Sequence, residues 1–257
     1  MDPAIRATPE RCSKGSNTPP QKEDAIVHAA VRVRTGSRLS IGLLALSVAL
    51  MQVAEASGGE VATCLTEHTI RIDAESPVRS YIVVRPSSYE RGAPAVVVLH
   101  GGSQSMRKIL QPTQAPSRWI ALAEEHGFLL LVPNGYNTDE MSGAGEEQTW
   151  NDLRPSSGNG VSEENDVAFI EAMLDREGGR HRFDTGTVFV TGSSNGGMMT
   201  YRLLIERPTR FAAGAAFIAN LPQGVIPDPT SPTPVMIMNG DADSQMPWEG
   251  GIVGING

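Results

Sequence analysis

The residues best placed to do chemistry are Thr191-Gly192-Ser193-Ser194-Asn195-Gly196-Gly197, which follow an apolar β-type run and precede a helical pattern. They fit G-x-S-x-G, the sharp turn that lifts a nucleophilic serine out of a strand and onto the start of a helix. Glycine is required on both sides because a side chain there would collide with neighbouring strands. The helix N-terminus favours developing negative charge, so the chemistry is attack of the Ser194 hydroxyl on a carbonyl carbon. A bare turn of this composition would make Ser194 only a helix cap. The strand before it and the helix after it favour the nucleophile.

Acyl transfer also needs two N–H donors for the tetrahedral oxyanion, each contributing roughly 3 kcal/mol. The turn supplies one from the backbone of Asn195. Leu99-His100-Gly101-Gly102-Ser103, a glycine turn ending another buried run, supplies the second, with Gly102 the most plausible donor. An acid that orients a histidine completes such a machine. Asn239-Gly240-Asp241-Ala242-Asp243 follows the last apolar run, and spacing alone leaves Asp241 and Asp243 as alternatives. Trp150 and Trp248 are candidates for lining the acyl or polymer groove, against the plainer role of core packing. No cluster has metal-ligand spacing, so neither a metal nor an organic cofactor is expected.

These segments need a scaffold that brings them to one edge. Residues 67–73 and 79–86 alternate polar and apolar around Glu75-Ser76-Pro77 and predict an antiparallel hairpin. Residues 95–99 and 128–132 are apolar runs typical of strands buried on both faces, and 187–191, 212–218 and 234–238 predict the remaining strands. Helical patterns fall at 117–126, 165–177 and 194–206, and residues 136–162 form a long polar loop. Strands alternating with helices predict a mostly parallel sheet covered on both faces, and the leading hairpin points to an α/β-hydrolase architecture. In such sheets function gathers at the carboxyl ends of the strands.

The N-terminal stretch is of another kind. Arg32, Arg34 and Arg38 precede the apolar run Ile41 to Val53, which ends in Ala54-Glu55-Ala56-Ser57. A basic flank, a short apolar core and small residues predict a secretory signal peptide, too short for the roughly 20 residues that span a bilayer. Residues 1–56 are therefore expected to be a disordered extension plus signal, and 57–257 the catalytic domain, secreted and without a stable membrane span after cleavage. Lipid attachment at Cys64 is disfavoured, because Thr63 is a poor predecessor. The leader holds 7 of 21 Lys+Arg and 5 of 29 Asp+Glu, leaving 14 basic and 24 acidic residues. That acidic balance excludes a nucleic-acid partner of the usual kind. Cleavage also removes Cys12, so Cys64 is expected to find a partner elsewhere, bridge two chains or remain a reactive thiol.

Arg79-Ser80-Tyr81-Ile82-Val83, His100-Gly101-Gly102, Trp150-Asn151, Asn165-Asp166-Val167-Ala168-Phe169, Gly192 to Met199 and Gly240 to Gly251 occur in this order. Together they resemble the secreted polyhydroxybutyrate depolymerase and feruloyl esterase family over about residues 65–256. The resemblance implies a serine esterase acting on carboxylic esters, polymeric substrates included: polyhydroxyalkanoates, or feruloylated and acetylated polysaccharides. It favours Asp243 as the acid, since the family carries Gly-Thr-x-Asp where this chain has Gly240-Asp241-Ala242-Asp243, with Asp241 in place of the usual threonine.

The fold orders its triad Ser, acid, His, yet none of the fourteen residues after Asp243 is a histidine. His28 lies in the leader and His68 in the hairpin, and His126 and His181 precede strands at the opposite edge. His100 is expected to serve the glycine turn as a hydrogen-bonding residue. Loss of the histidine costs roughly a millionfold in turnover. The chain is therefore expected to be an inactive fragment whose missing C-terminal part carries the base and covers the last strand. The alternative is a non-catalytic binding protein on an α/β-hydrolase fold. A peptidase on this fold would bring a propeller or a cap.

Overall fold

The computed structural model describes residues 11–12, 63–154, 162–221 and 231–251, the first two by their backbone. Among them, eight strands form one sheet: β1 (Arg11–Cys12), β2 (Cys64–Ile70), β3 (Arg79–Arg85), β4 (Ala95–Leu99), β5 (Leu129–Pro133), β6 (Val188–Ser193), β7 (Ala213–Phe217) and β8 (Val235–Met238). Their spatial order is β1-β2-β3-β5-β4-β6-β7-β8. The hairpin β2–β3 and the β3–β5 pair are antiparallel, and from β5 through β4, β6 and β7 to β8 the strands run parallel. This is the predicted α/β-hydrolase sheet with its antiparallel lead-in.

Helices cover both faces because alternate strand residues point to opposite sides. On one face Tyr81, Val83, Val97, Leu99, Leu129, Leu131 and Val190 meet the apolar stripe of α3 (Asp166–His181) and Met199 and Leu203 of α4 (Asn195–Glu206). On the other, Ile82, Val84, Val96, Val98, Leu130 and Val132 pack with α1 (Met106–Ile109) and with Ala123 of α2 (Arg118–His126). The central β4 and β5 are buried along their whole length, which is why they read as unbroken apolar runs. At the far edge, β8 exposes all four of its side chains. No helix among the described residues is long and apolar enough to cross a membrane.

Several expectations change. Helix α3 does not stop at Glu177 but runs to His181, through Gly178 and Gly179. Glu177 is fully buried beneath it and accepts the Tyr81 hydroxyl at 2.5 Å. This tertiary bond and the closing cap at Arg182, with φ 57°, carry the helix past two poor helix formers. Helix α1 was not anticipated, and its N-cap is the Ser105 side chain, which accepts from Lys108 N at 3.0 Å. The 136–162 loop is not loose where it is described: Tyr136 pairs with Thr149, Asn137 with Ser142 and Gln104 with Gln148. Within the stretch expected to be disordered, Arg11 and Cys12 form a strand against Leu65 and Cys64. The outer edge of β2 offers unused backbone donors and acceptors, and β1 takes them. Cys64, expected to find a partner elsewhere, bridge two chains or remain a thiol, is disulfide-bonded. The signal-peptide residues lie outside the described residues.

One buried ion pair ties the hairpin to the helical layer. Arg79, at the start of β3, donates to Asp166 Oδ1 at 2.5 Å and to the Asn134 carbonyl at 3.0 Å, and stands over the Phe169 ring at 4.3 Å. Both charged side chains are essentially inaccessible to water, so each depends on the other for solvation. Removing one partner of such a pair costs about 3–5 kcal/mol because a charge is left buried without its counter-ion. Asp166→Ala is accordingly expected to lower unfolding stability by that amount in urea titration. A loss under 1 kcal/mol would show that Arg79 finds water or another partner.

Candidate active site

Five chain segments meet at the carboxyl ends of the parallel strands. The sharpest is the β6–α4 junction, where Ser194 has φ 55° and ψ −126°. A non-glycine residue there carries strain of order 1–3 kcal/mol that its surroundings must sustain. Its backbone N–H donates to Phe217 O and its carbonyl accepts from Met198 N, each at 2.9 Å. The two flanking glycines are demanded by contact. A Cβ on Gly192 would lie 2.5 Å from Gly196 C, and one on Gly196 would lie 2.4 Å from the His100 carbonyl oxygen. Both neighbours are backbone, which has nowhere to go.

The second segment reaches the first through the sheet. β4 pairs in parallel with β6, setting Leu99 opposite Gly192, so the turn after Leu99 emerges beside Ser194. A Cβ added to Gly101 would lie 3.8 Å from Ser194 Cβ. Neither Asn195 N–H nor Gly102 N–H has a protein acceptor among the described residues. Asn195 opens α4, where N–H groups lack intrahelical partners. Asn195 follows Ser194 directly, and Gly102 follows the Gly101 position that lies against the Ser194 side chain.

His100 is held as a structural residue. Its Nδ1 bonds the Gly101 carbonyl at 2.7 Å and its Nε2 accepts from Gly135 N at 2.9 Å. With both nitrogens engaged and the ring 4.8 Å from the Trp150 ring, it has no position from which to take a proton from Ser194. Burial pushes its pKa down to about 4, against a smaller upward effect of the Gly101 carbonyl. His68 in β2, His126 at the end of α2 and His181 at the end of α3 are the other described histidines.

Trp150 does not line a groove. It is 0% exposed, donates its indole N–H to the His100 carbonyl at 2.8 Å, and brackets the Asn195 side chain with its own backbone N–H and C=O. Trp248 is 60% exposed and sits in the loop after β8, five residues beyond Asp243. That loop is fixed at two points. Asn239 exchanges hydrogen bonds with the Ala219 backbone, both at 2.9 Å, and Met246 is buried with Met198 and Tyr201 of α4. Within it Asp243 Oδ1 accepts from Gln245 N at 2.8 Å and Met246 N at 2.9 Å, whereas Asp241 is exposed. A cavity of about 510 Å³ lined by Asp73–Pro77 and Glu164 includes none of these residues. Among the described residues no group of three or more acids, histidines or cysteines could hold a metal ion.

Sequence reasoning missed Asp152 altogether. Its carboxylate is fully buried, accepts Asn195 Nδ2 at 2.6 Å, and pairs with Arg154 Nε at 2.9 Å. The only sequence signal was its place directly after Trp150-Asn151.

The neutral, buried His100 has a measurable consequence. Its folded-state pKa lies below the unfolded value near 6.5, so its share of stability is complete above that pH and is lost as pH falls toward 4. Between pH 7.5 and 4.5 the wild type is expected to lose about 2–3 kcal/mol more unfolding free energy than His100→Asn. Equal losses in urea titrations of the two proteins would mean that His100 protonates freely in the fold.

Comparisons with known proteins fit this geometry. The family described as esterase PHB depolymerase matches residues 78–227. Feruloyl esterase B of Thermothelomyces thermophilus is 30% identical over 160 residues, covering 61% of this chain and 50% of that protein. Poly(3-hydroxyalkanoate) depolymerase C of Paucimonas lemoignei is 32% identical over 137 residues, covering 53% and 30%. This chain therefore spans half or less of the length of these curated relatives. A crystal structure of a thermostable esterase superposes with a TM-score of 0.53 at 20% identity, covering 72% of this chain and 48% of that one, and shows the shared fold. The strained serine junction and these matches lead to one conclusion: the chain belongs to the esterase PHB depolymerase family, whose members are carboxylic ester hydrolases.

Proposed function

We propose that the whole protein is an exported serine esterase in which Ser194 attacks the ester carbonyl. The reading rests above all on Ser194, held at φ 55° at the start of α4, with the Asn195 and Gly102 N–H groups free of protein acceptors among the described residues. The developing oxyanion is received by Asn195 N–H and Gly102 N–H. A histidine takes the serine proton and later returns it to the leaving alcohol. Asp243 orients that histidine from its fixed loop, and water then releases the acid from the acyl-enzyme.

The base is a histidine beyond residue 257. Triad order in this fold puts it after the acid, and the curated relatives are at least about twice as long as the matched part. Substrates are carboxylic esters of the kinds named in those relatives, feruloyl esters and poly(3-hydroxyalkanoates), with exposed Trp248 in the same loop as Asp243 offering an apolar surface to the acyl or polymer chain. Export follows from the basic flank and apolar run ending at Ala56. Cleavage there would cut residues 1–56 from the mature chain, and the mass of the reduced exported protein reads that step directly. One observation favours a non-catalytic binding role instead: His100, next to the glycine turn beside Ser194, has both ring nitrogens engaged elsewhere.

The protein expressed from its whole reading frame, past codon 257, should hydrolyse p-nitrophenyl acetate and butyrate. Ser194→Ala should reduce kcat by about 10⁶-fold and Asp243→Ala by about 10⁴-fold, with Asp241→Ala within about threefold of wild type. Turnover that survives in Ser194→Ala, or a folded wild type with none, would sink the esterase reading. A large loss in Asp241→Ala with Asp243→Ala unaffected would move the acid to Asp241.

A further inference from the structure

We infer that Asp152 is a positioning residue that sets the oxyanion geometry through the side chain of Asn195. The inference rests on the esterase reading above, because it concerns how the two proposed donors are held apart at the right distance.

Asn195 has to present its backbone N–H from the first position of a helix, where no hydrogen bond within the helix fixes it. Its side chain does the fixing. Oδ1 accepts from Trp150 N at 2.7 Å, and Nδ2 donates to Trp150 O at 3.0 Å and to Asp152 Oδ2 at 2.6 Å. Asp152 is itself immobilised. Arg154 Nε reaches both carboxylate oxygens at 2.9 Å, and Arg154 N reaches Oδ1 at 3.1 Å. The charge-assisted bond to Asn195 is the shortest of the three made by that side chain, and bonds to an ionised acceptor are roughly twice as strong as neutral ones.

The same short segment also holds the opposite donor. The indole of Trp150 bonds the His100 carbonyl at 2.8 Å, two residues before Gly102. Asn151 ties the segment to the scaffold. Its N–H donates to Asp166 Oδ2 at 2.7 Å, and its carbonyl accepts from Arg202 of α4 at 2.6 Å. Residues 150–154 are therefore a rigid spacer between the glycine turn and the head of α4. A buried carboxylate is a costly way to fill space. Its placement against the side chain of a proposed oxyanion donor gives that cost a use, since donors fixed before the reaction need no reorganisation during it.

The test uses the protein from the whole reading frame, with wild type and Ser194→Ala measured alongside Asp152→Ala and Asp152→Asn. Active-site titration counts functional molecules, so that a loss of folded protein does not pass for a loss of rate. Positioning predicts that kcat on p-nitrophenyl butyrate falls about 10- to 100-fold with KM within about twofold. A trifluoromethyl ketone, which forms a tetrahedral oxyanion on the serine, should bind more weakly by the same factor. Asp152→Asn, which keeps an acceptor for Asn195 Nδ2, should recover part of the loss. A merely structural role predicts lower thermal stability with kcat per titrated site unchanged in both variants, and that result overturns the inference. Should Asp152→Ala fail to fold, Asp152→Asn carries the same comparison. A wild type without Ser194-dependent turnover removes the esterase reading and this inference with it. That outcome is distinct from an active wild type whose Asp152 variants match it.

Discussion

Ser194 occupies a backbone conformation, φ 55° and ψ −126°, that residues with a side chain rarely adopt, and the surrounding molecule is arranged to keep it there. Left-handed strain persists only where neighbouring contacts over-determine it. Here the contacts come from every direction. Phe217 O on β7 takes the Ser194 N–H, the carbonyl of His100 crowds Gly196, and Gly192 meets the backbone of Gly196. None of these contacts tolerates a methyl group, so the glycines follow from the shape of the junction. The same strain lifts the serine to the head of α4, where the helix dipole and unbonded N–H groups favour an anion.

Holding the serine is only part of the problem, because the donors must be held too. A line of buried polar contacts runs from the hairpin to the site. Arg79 pairs with Asp166, Asp166 receives Asn151 N–H, and the neighbouring Trp150 and Asp152 grip Asn195. Burying so many polar groups is unfavourable unless they are satisfied, and here most satisfy one another, the Arg79 Nε being left without a hydrogen-bond partner. The result is a polar brace beneath the carboxyl edge of the sheet, in a layer otherwise filled by Phe169, Met173 and Leu203. His100 belongs to this brace, neutral and fixed at both nitrogens, and so contributes shape instead of proton transfer.

What the sequence disclosed depended on how local the signal was. The strand-to-helix turn at Ser194, the glycine turn after Leu99 and the buried strands β4 and β5 are written in runs of five to seven residues, and these elements form where the pattern put them. The brace was not legible. Arg79 and Asp166 are 87 positions apart, and nothing in either neighbourhood names the other. Trp150 looked like a groove residue because it sits in a Gly- and Ser-rich loop, but Asn195 and His100 draw that loop inward. Helix α3 was cut short at two glycines because the bond from Tyr81 to Glu177 comes from another element. The pairing of Arg11 and Cys12 with β2 was likewise invisible, since two residues carry no periodicity. Asp241 and Asp243, alike in sequence, differ in structure in that Asp243 caps a turn whereas Asp241 is exposed.

The most direct measurement is a crystal structure of the protein from its whole reading frame after reaction with an alkyl phosphonate ester. A phosphonyl group on Ser194 Oγ reproduces the tetrahedral centre and its oxyanion. The expected result places one phosphonyl oxygen about 2.7–3.1 Å from both Asn195 N and Gly102 N, with Asn195 still bound to Asp152. An oxygen turned to solvent, or a label on any residue other than Ser194, would contradict the assignment of the serine and its oxyanion donors.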